Sequence, residues 1–288
     1  MRKRKSSTQK LLLKLVQELK ELKETIEGFE EPVLLSDVVE HEFDKPVCIV
    51  FLSDLHVGSV HSDYERLEGI VKELFSQEGV YVVINGDLID NFDVPVPKLA
   101  LEGASSQILS PAKQRAIAKK LLMFLKDKLL AFVIGNHEEF SSLDFLSTVK
   151  VPMGLNRLVV ELKIGKKTYN IAIVHKSRFN SIINPTHAGI RQLHLLYPYA
   201  DVIALGHTHA PTVATVFYPK DMREGLTPRI ILNSGSLKNL DAYTYKHFNP
   251  YPVSNLSVPA VVFTQERAVP FARVEDALLF YKAISHVS

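Results

Sequence analysis

One cysteine, Cys48, is all that the 288 residues contain. It sits in the apolar run VCIVFL with no second thiol to pair with, so a disulfide framework is excluded and a reducing compartment is favoured. It reads as a small buried hydrophobe rather than a nucleophile. An excess of one charge is also missing: 34 basic and 32 acidic residues leave a net +2. No global field marks the chain for nucleic acid or a membrane surface, and any basic patch must be local. Long apolar runs are absent too. The opening MRKRKSSTQKLLLKLV starts like a signal peptide, but Lys14 interrupts the apolar stretch and Gln17, Glu18 and Lys20 end it. Nothing here or further along is long enough for secretion or membrane spanning, so a cytoplasmic protein with no membrane partner is expected. The chain has no internal repeat and no low-complexity segment.

What is present is ordinary globular material, 46% hydrophobic and 23% charged, enough for one large domain or a domain with an appendage. Leu12, Leu15, Leu19, Leu22, Ile26 and Phe29 recur at three- and four-residue intervals, an amphipathic helix with a narrow seam that Gly28 and Pro32 end. Residues 1–32 thus form a basic terminus plus helix. Packing of that helix on its own domain and homodimerisation through it stand as equal readings.

From Pro46 to the end, apolar runs alternate with helical patterns: VCIVFLSD, a helix around Tyr64 to Phe75, VYVVING, a helix around Lys113 to Lys128, then LLAFVIGN. That rhythm is βαβ in a largely buried sheet. RLVVELKIGKKTYNIAIVH reads as a hairpin turning at Gly165, a helix follows around Ala188 to Leu196, and strands dominate what remains before a short terminal helix. The fold class expected is α/β, with two packed mixed sheets and helices outside. The irregular stretch Asn91 to Pro111, rich in proline, suits a loop capping a site.

Residues of metal-binding type stand at the ends of the expected strands: Asp54 and His56 after FLS, Asp87 after VING, Asn136 and His137 after VIG, His175 after IAIV, and His207 and His209 after IALG. Open α/β sheets gather ligand sites at carboxyl strand ends, so distant segments can meet in one crevice. Each residue alone has a plain structural reading as a cap, an Asx turn or a turn residue after glycine. Five such segments in order are much harder to read that way, and Gly86, Gly135 and Gly206 each let the backbone turn tightly beside a candidate ligand.

The ordered set DLH, GDLIDN, GNHE, His175 and GHTH resembles the calcineurin-like metallophosphoesterase superfamily, whose signature is D-x-H, G-D-x-x-D, G-N-H-[DE], H and G-H-x-H. The resemblance covers roughly Pro46 to Asn239 and implies a four-layer α/β/β/α sandwich. It also implies that Asp54, His56 and His209 bind one divalent ion, that Asn136, His175 and His207 bind a second, and that Asp87 bridges them. His137 would lie just outside the ligands and protonate the leaving oxygen; Asp90 would stand behind the ligands or start a helix rather than bind metal, and Glu138 would support the turn or orient a histidine. Mixed oxygen and imidazole donors without thiolates suit Mn²⁺ first, with Fe, Zn²⁺ and Ni²⁺ as alternatives. Two ions about 3.5–4 Å apart can share a water and aim the resulting hydroxide in line at phosphorus. Set against Asp54, Asp87 and that hydroxide, they leave a formal surplus of about one positive charge, which attracts phosphate.

Protein phosphatases of the superfamily carry R-G after G-D-x-x-D and an arginine soon after G-N-H-E. Here Asn91-Phe92 and Glu139-Phe140 occupy those places, which argues against that activity. DLH with GDLIDN is closer to the nuclease and phosphodiesterase branches, so a phosphodiester of DNA, RNA or a nucleotide is the expected substrate. A small phosphomonoester is the alternative, and a non-catalytic scaffold a weaker one. Lys176, Arg178, His187 and Arg191 are candidate contacts to flanking phosphates, each equally readable as solvated surface. NSGSLKN, Asn233 to Asn239, resembles a terminal Gly-Ser turn of the family and is read as scaffolding.

Overall fold

The computed structural model describes residues 14, 16–18, 20–21, 37–91, 107–139, 143–147, 149–177, 188–219, 225–239 and 258–285. The leading helix beyond a few positions between 14 and 21, most of the Asn91–Pro111 loop, Arg178, His187 and the side chain of Arg191 lie outside the described residues. No helix among the described residues is long and apolar enough to cross a membrane.

Strands β2 (Val47–Leu52), β3 (Val80–Asn85) and β4 (Leu129–Ile134) run parallel at the centre of one six-stranded sheet. Parallel β5 (Met153–Leu155) and the antiparallel pair β11 (Ala260–Phe263) and β12 (Ala268–Phe271) complete the order β12-β11-β2-β3-β4-β5. The central strands are unbroken apolar runs because both faces are covered. Cys48, Val50 and Leu52 point into a core with helices α1 (Tyr64–Ser76), α2 (Pro111–Leu125) and α6 (Val274–Ser285), while Ile49 and Phe51 point into the space between sheets.

The facing sheet has the order β1-β6-β7-β8-β10-β9, built from β1 (Val38–Phe43), β6 (Arg157–Ile164), β7 (Lys167–Val174), β8 (Val202–Leu205), β9 (Thr212–Pro219) and β10 (Leu226–Asn233). Leu158, Val160, Ile171, Ile173 and Leu232 meet Phe51 and Val133 across the sandwich, and α5 (Ala188–Leu196) covers the outer face through Ile190 and Leu193. The result is the α/β/β/α layering expected, with two mixed sheets. Short helices α3 (Asn136–Glu139) and α4 (Asp144–Ser147) follow β4.

Two local features differ from the sequence reading. β1 pairs in parallel with β6 from Val38↔Val159 to Phe43↔Ile164, so the sandwich begins before Pro46. Its VVEHEF sequence alternates as an edge strand should but carries no long apolar run to announce it. Helix α2 starts at Pro111, where the fixed φ of proline suits a first helical position, and stops at Leu125. Lys126 to Lys128 then make the turn into β4, with Lys128 N donating to Leu125 O at 2.8 Å. The hairpin of β6 and β7 turns at Gly165 as expected, with φ +56° there.

Candidate metal centre

Every segment with a candidate ligand leaves the carboxyl end of a strand: β2, β3 and β4 in one sheet, β7 and β8 in the other. These ends meet on one side of the sandwich. Asp54 Oδ1 lies 3.2 Å from His209 Nε2, and His56 Nε2 lies 3.3 Å from that same nitrogen. Asp87 Oδ2 is 3.1 Å from His175 Nε2 and 4.0 Å from His207 Nδ1, and Asn136 Oδ1 is 3.3 Å from His175 Nε2. Asp54, His56 and His209 form one group whose donor atoms could hold a metal ion, and Asp87, His175 and His207 form another. A third group, His56, Asp87 and His137, runs between them, so Asp87 reaches both sides of the site. All seven residues predicted as ligands are brought together.

The backbone is bent to do this. Among the described residues, Asp54, His56, Asp87, Asn91, His207 and His209 all have positive φ, between +33° and +66°. Side chains with a Cβ seldom adopt this region, and strain of that kind persists only where surrounding structure enforces it, most often at functional sites. The enforcement is visible. Asp54 N donates to Gly86 O at 3.0 Å and His56 N to Asp87 O at 3.0 Å, tying the loop after β2 to the loop after β3. His207 N donates to Asp54 Oδ2 at 3.1 Å, and the Ser53 hydroxyl bonds to the same carboxylate. The buried Glu138 carboxylate accepts from Asp87 N at 3.0 Å, Ile89 N at 3.0 Å and Gly135 N at 2.8 Å, so it supports the turn rather than orienting a histidine.

The imidazoles are oriented from outside. His175 Nδ1 bonds to Asn85 O at 2.8 Å, which turns its Nε2 toward Asp87 and Asn136. His137 Nδ1 donates to the Asp90 carbonyl, and its backbone N–H donates to Asp87 Oδ1 at 3.0 Å. Its Nε2 therefore faces the site, 3.8 Å from Asp87 Oδ2, and its ring meets His56 edge-on at 4.7 Å. Asp90 lies behind His56, with Oδ1 3.1 Å from His56 Nδ1.

Burial and neighbouring charge set the protonation. Burial alone would raise Asp54, but His209 and His175 hold it down to about 2, and Asp87 is likewise held well below the usual carboxylate range against its burial, chiefly by His175 and His137. Burial would lower His175, yet the carboxylates of Asp87 and Asp54 raise it to about 10. Burial and the Lys238 charge lower His56 to about 4. Burial and the charge of Asp87 raise Glu138 to about 7.

The donor set fits divalent cations. Asp54 Oδ1 is buried 3.2 Å from His209 Nε2, and no thiolate stands among the gathered donors to favour a closed structural zinc site. Lys176 is exposed just beyond His175, its backbone clamped by Asn156 through Lys176 N to Asn156 Oδ1 at 3.0 Å and Asn156 Nδ2 to Lys176 O at 3.3 Å. The sequence reading missed Ser53, Asn85, Asn156 and Lys238. Three of them act on or through backbone groups, which no side-chain motif displays.

A family model described as calcineurin-like phosphoesterase matches residues 48–211. Among solved structures, vacuolar protein sorting 29 from Cryptosporidium parvum is 14% identical over 79% of this chain and 90% of its own, with a TM-score of 0.46. A metallophosphoesterase from Sphaerobacter thermophilus is 14% identical over 80% of this chain and 91% of its own, with a TM-score of 0.39. The NAD nucleotidase of Haemophilus influenzae is 13% identical over 79% of this chain and 50% of its own, with a TM-score of 0.42. None of the curated proteins compared with the chain matches it.

Proposed function

The chain belongs to the calcineurin-like phosphoesterase family, and we propose that it hydrolyses a phosphodiester, of nucleic acid or a nucleotide, with the aid of two divalent metal ions. The observation that carries this reading is the convergence of Asp54, His56 and His209 on one side of Asp87 and of His175, His207 and Asn136 on the other. These two sets would hold the ions, with Asp87 shared. Bound there, divalent ions supply Lewis acidity toward the phosphoryl oxygens and lower the pKa of an attacking water. Mn²⁺ is the first choice for such mixed oxygen and nitrogen donors.

The chain's own contribution is positioning and proton transfer. The strained loops fix the donor atoms before substrate arrives, so little reorganisation is left for the reaction. With Nδ1 committed to the Asp90 carbonyl, His137 presents Nε2 to the site and can deliver a proton from that atom to the departing oxygen. Asn136 places a neutral oxygen beside His175, where a carboxylate would offset the positive charge that attracts phosphate. Exposed Lys176 stands beside His175 in the chain and is proposed to contact a flanking phosphate, a role for which a diester offers a partner.

The test is metal analysis of the purified full chain, followed by hydrolysis of bis-p-nitrophenyl phosphate, p-nitrophenyl phosphate and single-stranded DNA with Mn²⁺ added. About two equivalents of metal and faster turnover of the diesters are expected. A preference for the monoester overturns the substrate assignment, and absence of both metal and activity overturns the enzyme.

A further inference from the structure

Lys238 is almost wholly buried, with 2% of its side chain exposed, and its ammonium lies 2.9 Å from Oδ1 of Asp90, whose side chain is fully buried. That same oxygen lies 3.1 Å from His56 Nδ1. The other Asp90 oxygen is buried and accepts no hydrogen bond among the described residues, and there the Lys238 and His56 contacts orient the carboxylate. The far nitrogen of His56 faces His209 at 3.3 Å. A chain of side-chain contacts therefore runs from Lys238 through Asp90 and His56 to the first metal position.

We propose that Lys238 is a positioning residue which, through Asp90, aims His56 at the ion held with Asp54 and His209. The inference rests on the two-metal reading above. A buried ammonium and carboxylate lose much solvation, and apolar side chains of similar volume would often stabilise a fold as well or better, so core packing alone gives no reason for the pair. A metal-ligating histidine, by contrast, needs a partner for its other ring nitrogen to fix ring orientation and tautomer. Asp90 is the group that stands beside that nitrogen, and Lys238 keeps it in place.

Lys238 is itself firmly mounted. Its N–H donates to Ser236 Oγ at 2.9 Å, and the Ser236 hydroxyl donates to Asp54 O at 2.8 Å. Asn239 N donates to His61 O and Asp63 N to Leu237 O, each at 2.8 Å. The segment after β10 thus grips the loop after β2 on both sides of His56. Ser236 reaches the Asp54 carbonyl and Lys238 reaches Asp90, both on the side of the first position, so the larger effect should fall on one ion.

The experiment is stepwise calorimetric titration of chelator-treated full chain with Mn²⁺, comparing wild type with Lys238→Met and with the double variant Lys238→Met/Asp90→Asn, in which no buried charge is stranded. Wild type is expected to bind about two equivalents. In both variants one equivalent should weaken roughly 10–100-fold while the other changes by less than about threefold. Should Lys238→Met fail to fold, the double variant decides. Unchanged affinities at both positions, or equal loss at both, overturn the proposal by making Lys238 a purely structural ion. A wild-type chain that takes up no metal instead brings down the two-metal reading, and this inference with it.

Discussion

Substituting alanine for Gly206 adds a single methyl group where the two sheets deliver their ligands. The new Cβ would lie 2.6 Å from Ser53 Oγ, 2.9 Å from Asn85 O and 3.0 Å from His175 Nδ1. Those separations are about 0.4 to 0.8 Å inside ordinary van der Waals contact at 3.4 Å. None of the three neighbours can swing away cheaply. Ser53 bonds to the Asp54 carboxylate, Asn85 O is backbone within β3, and the His175 ring is held between Asn85 O and Asp87. Overpacking of this kind costs about 1–3 kcal/mol, which for a domain of this size lowers Tm by roughly 2–12 °C. The stronger effect should be on chemistry, since displacing a reacting group by about 1 Å can cost on the order of 10²-fold. Gly69 in α1 is the control, because a Cβ there meets nothing within 4 Å. There the same change should stabilise by about 0.5–1 kcal/mol through helix propensity. Calorimetric melting, metal analysis and diester hydrolysis measure the three quantities. Wild-type turnover and full metal content in Gly206→Ala would refute the claim that the GHTH turn is packed to the atom against His175.

Two further outcomes follow from the same site. His137→Ala should retain both metal equivalents and lose about 10²–10⁴-fold in turnover, the usual contribution of a positioned acid; loss of one equivalent would make His137 a ligand instead. In metal-free protein burial lowers His175 but the carboxylates of Asp87 and Asp54 outweigh it and raise the ring to about 10. Its charged form therefore stabilises the metal-free fold fully below the unfolded value near 6.5, and that contribution is lost as pH rises through about 10. A metal ion at His175 must displace this proton, so affinity at the second position should increase with pH across that window. Titration near neutral pH in buffers of different ionisation enthalpy should show about one proton released, and a buffer-independent heat would contradict it.

The strands β2, β3 and β4 were legible because both faces are buried, which leaves unbroken apolar runs that only a covered sheet explains. The hairpin at Gly165 and the helix at Ala188–Leu196 were equally plain. β1 and β5 were not, since an edge strand and a three-residue strand carry too little periodicity to stand out. The donor residues were legible for a different reason: metal chemistry needs particular side-chain types, and here they follow apolar strands in a fixed order.

Sequence by itself determined which atoms could bind an ion, because the identity of a donor is a property of the residue. Only the tertiary structure decided that Asp90 serves His56, that Glu138 braces three backbone amides, and that Lys238 completes the line behind them. Those contacts join residues as far apart as 148 positions and involve backbone groups that every sequence shares. Their partners are chosen by how two twisted sheets bring their strand ends together, and no local pattern encodes that meeting.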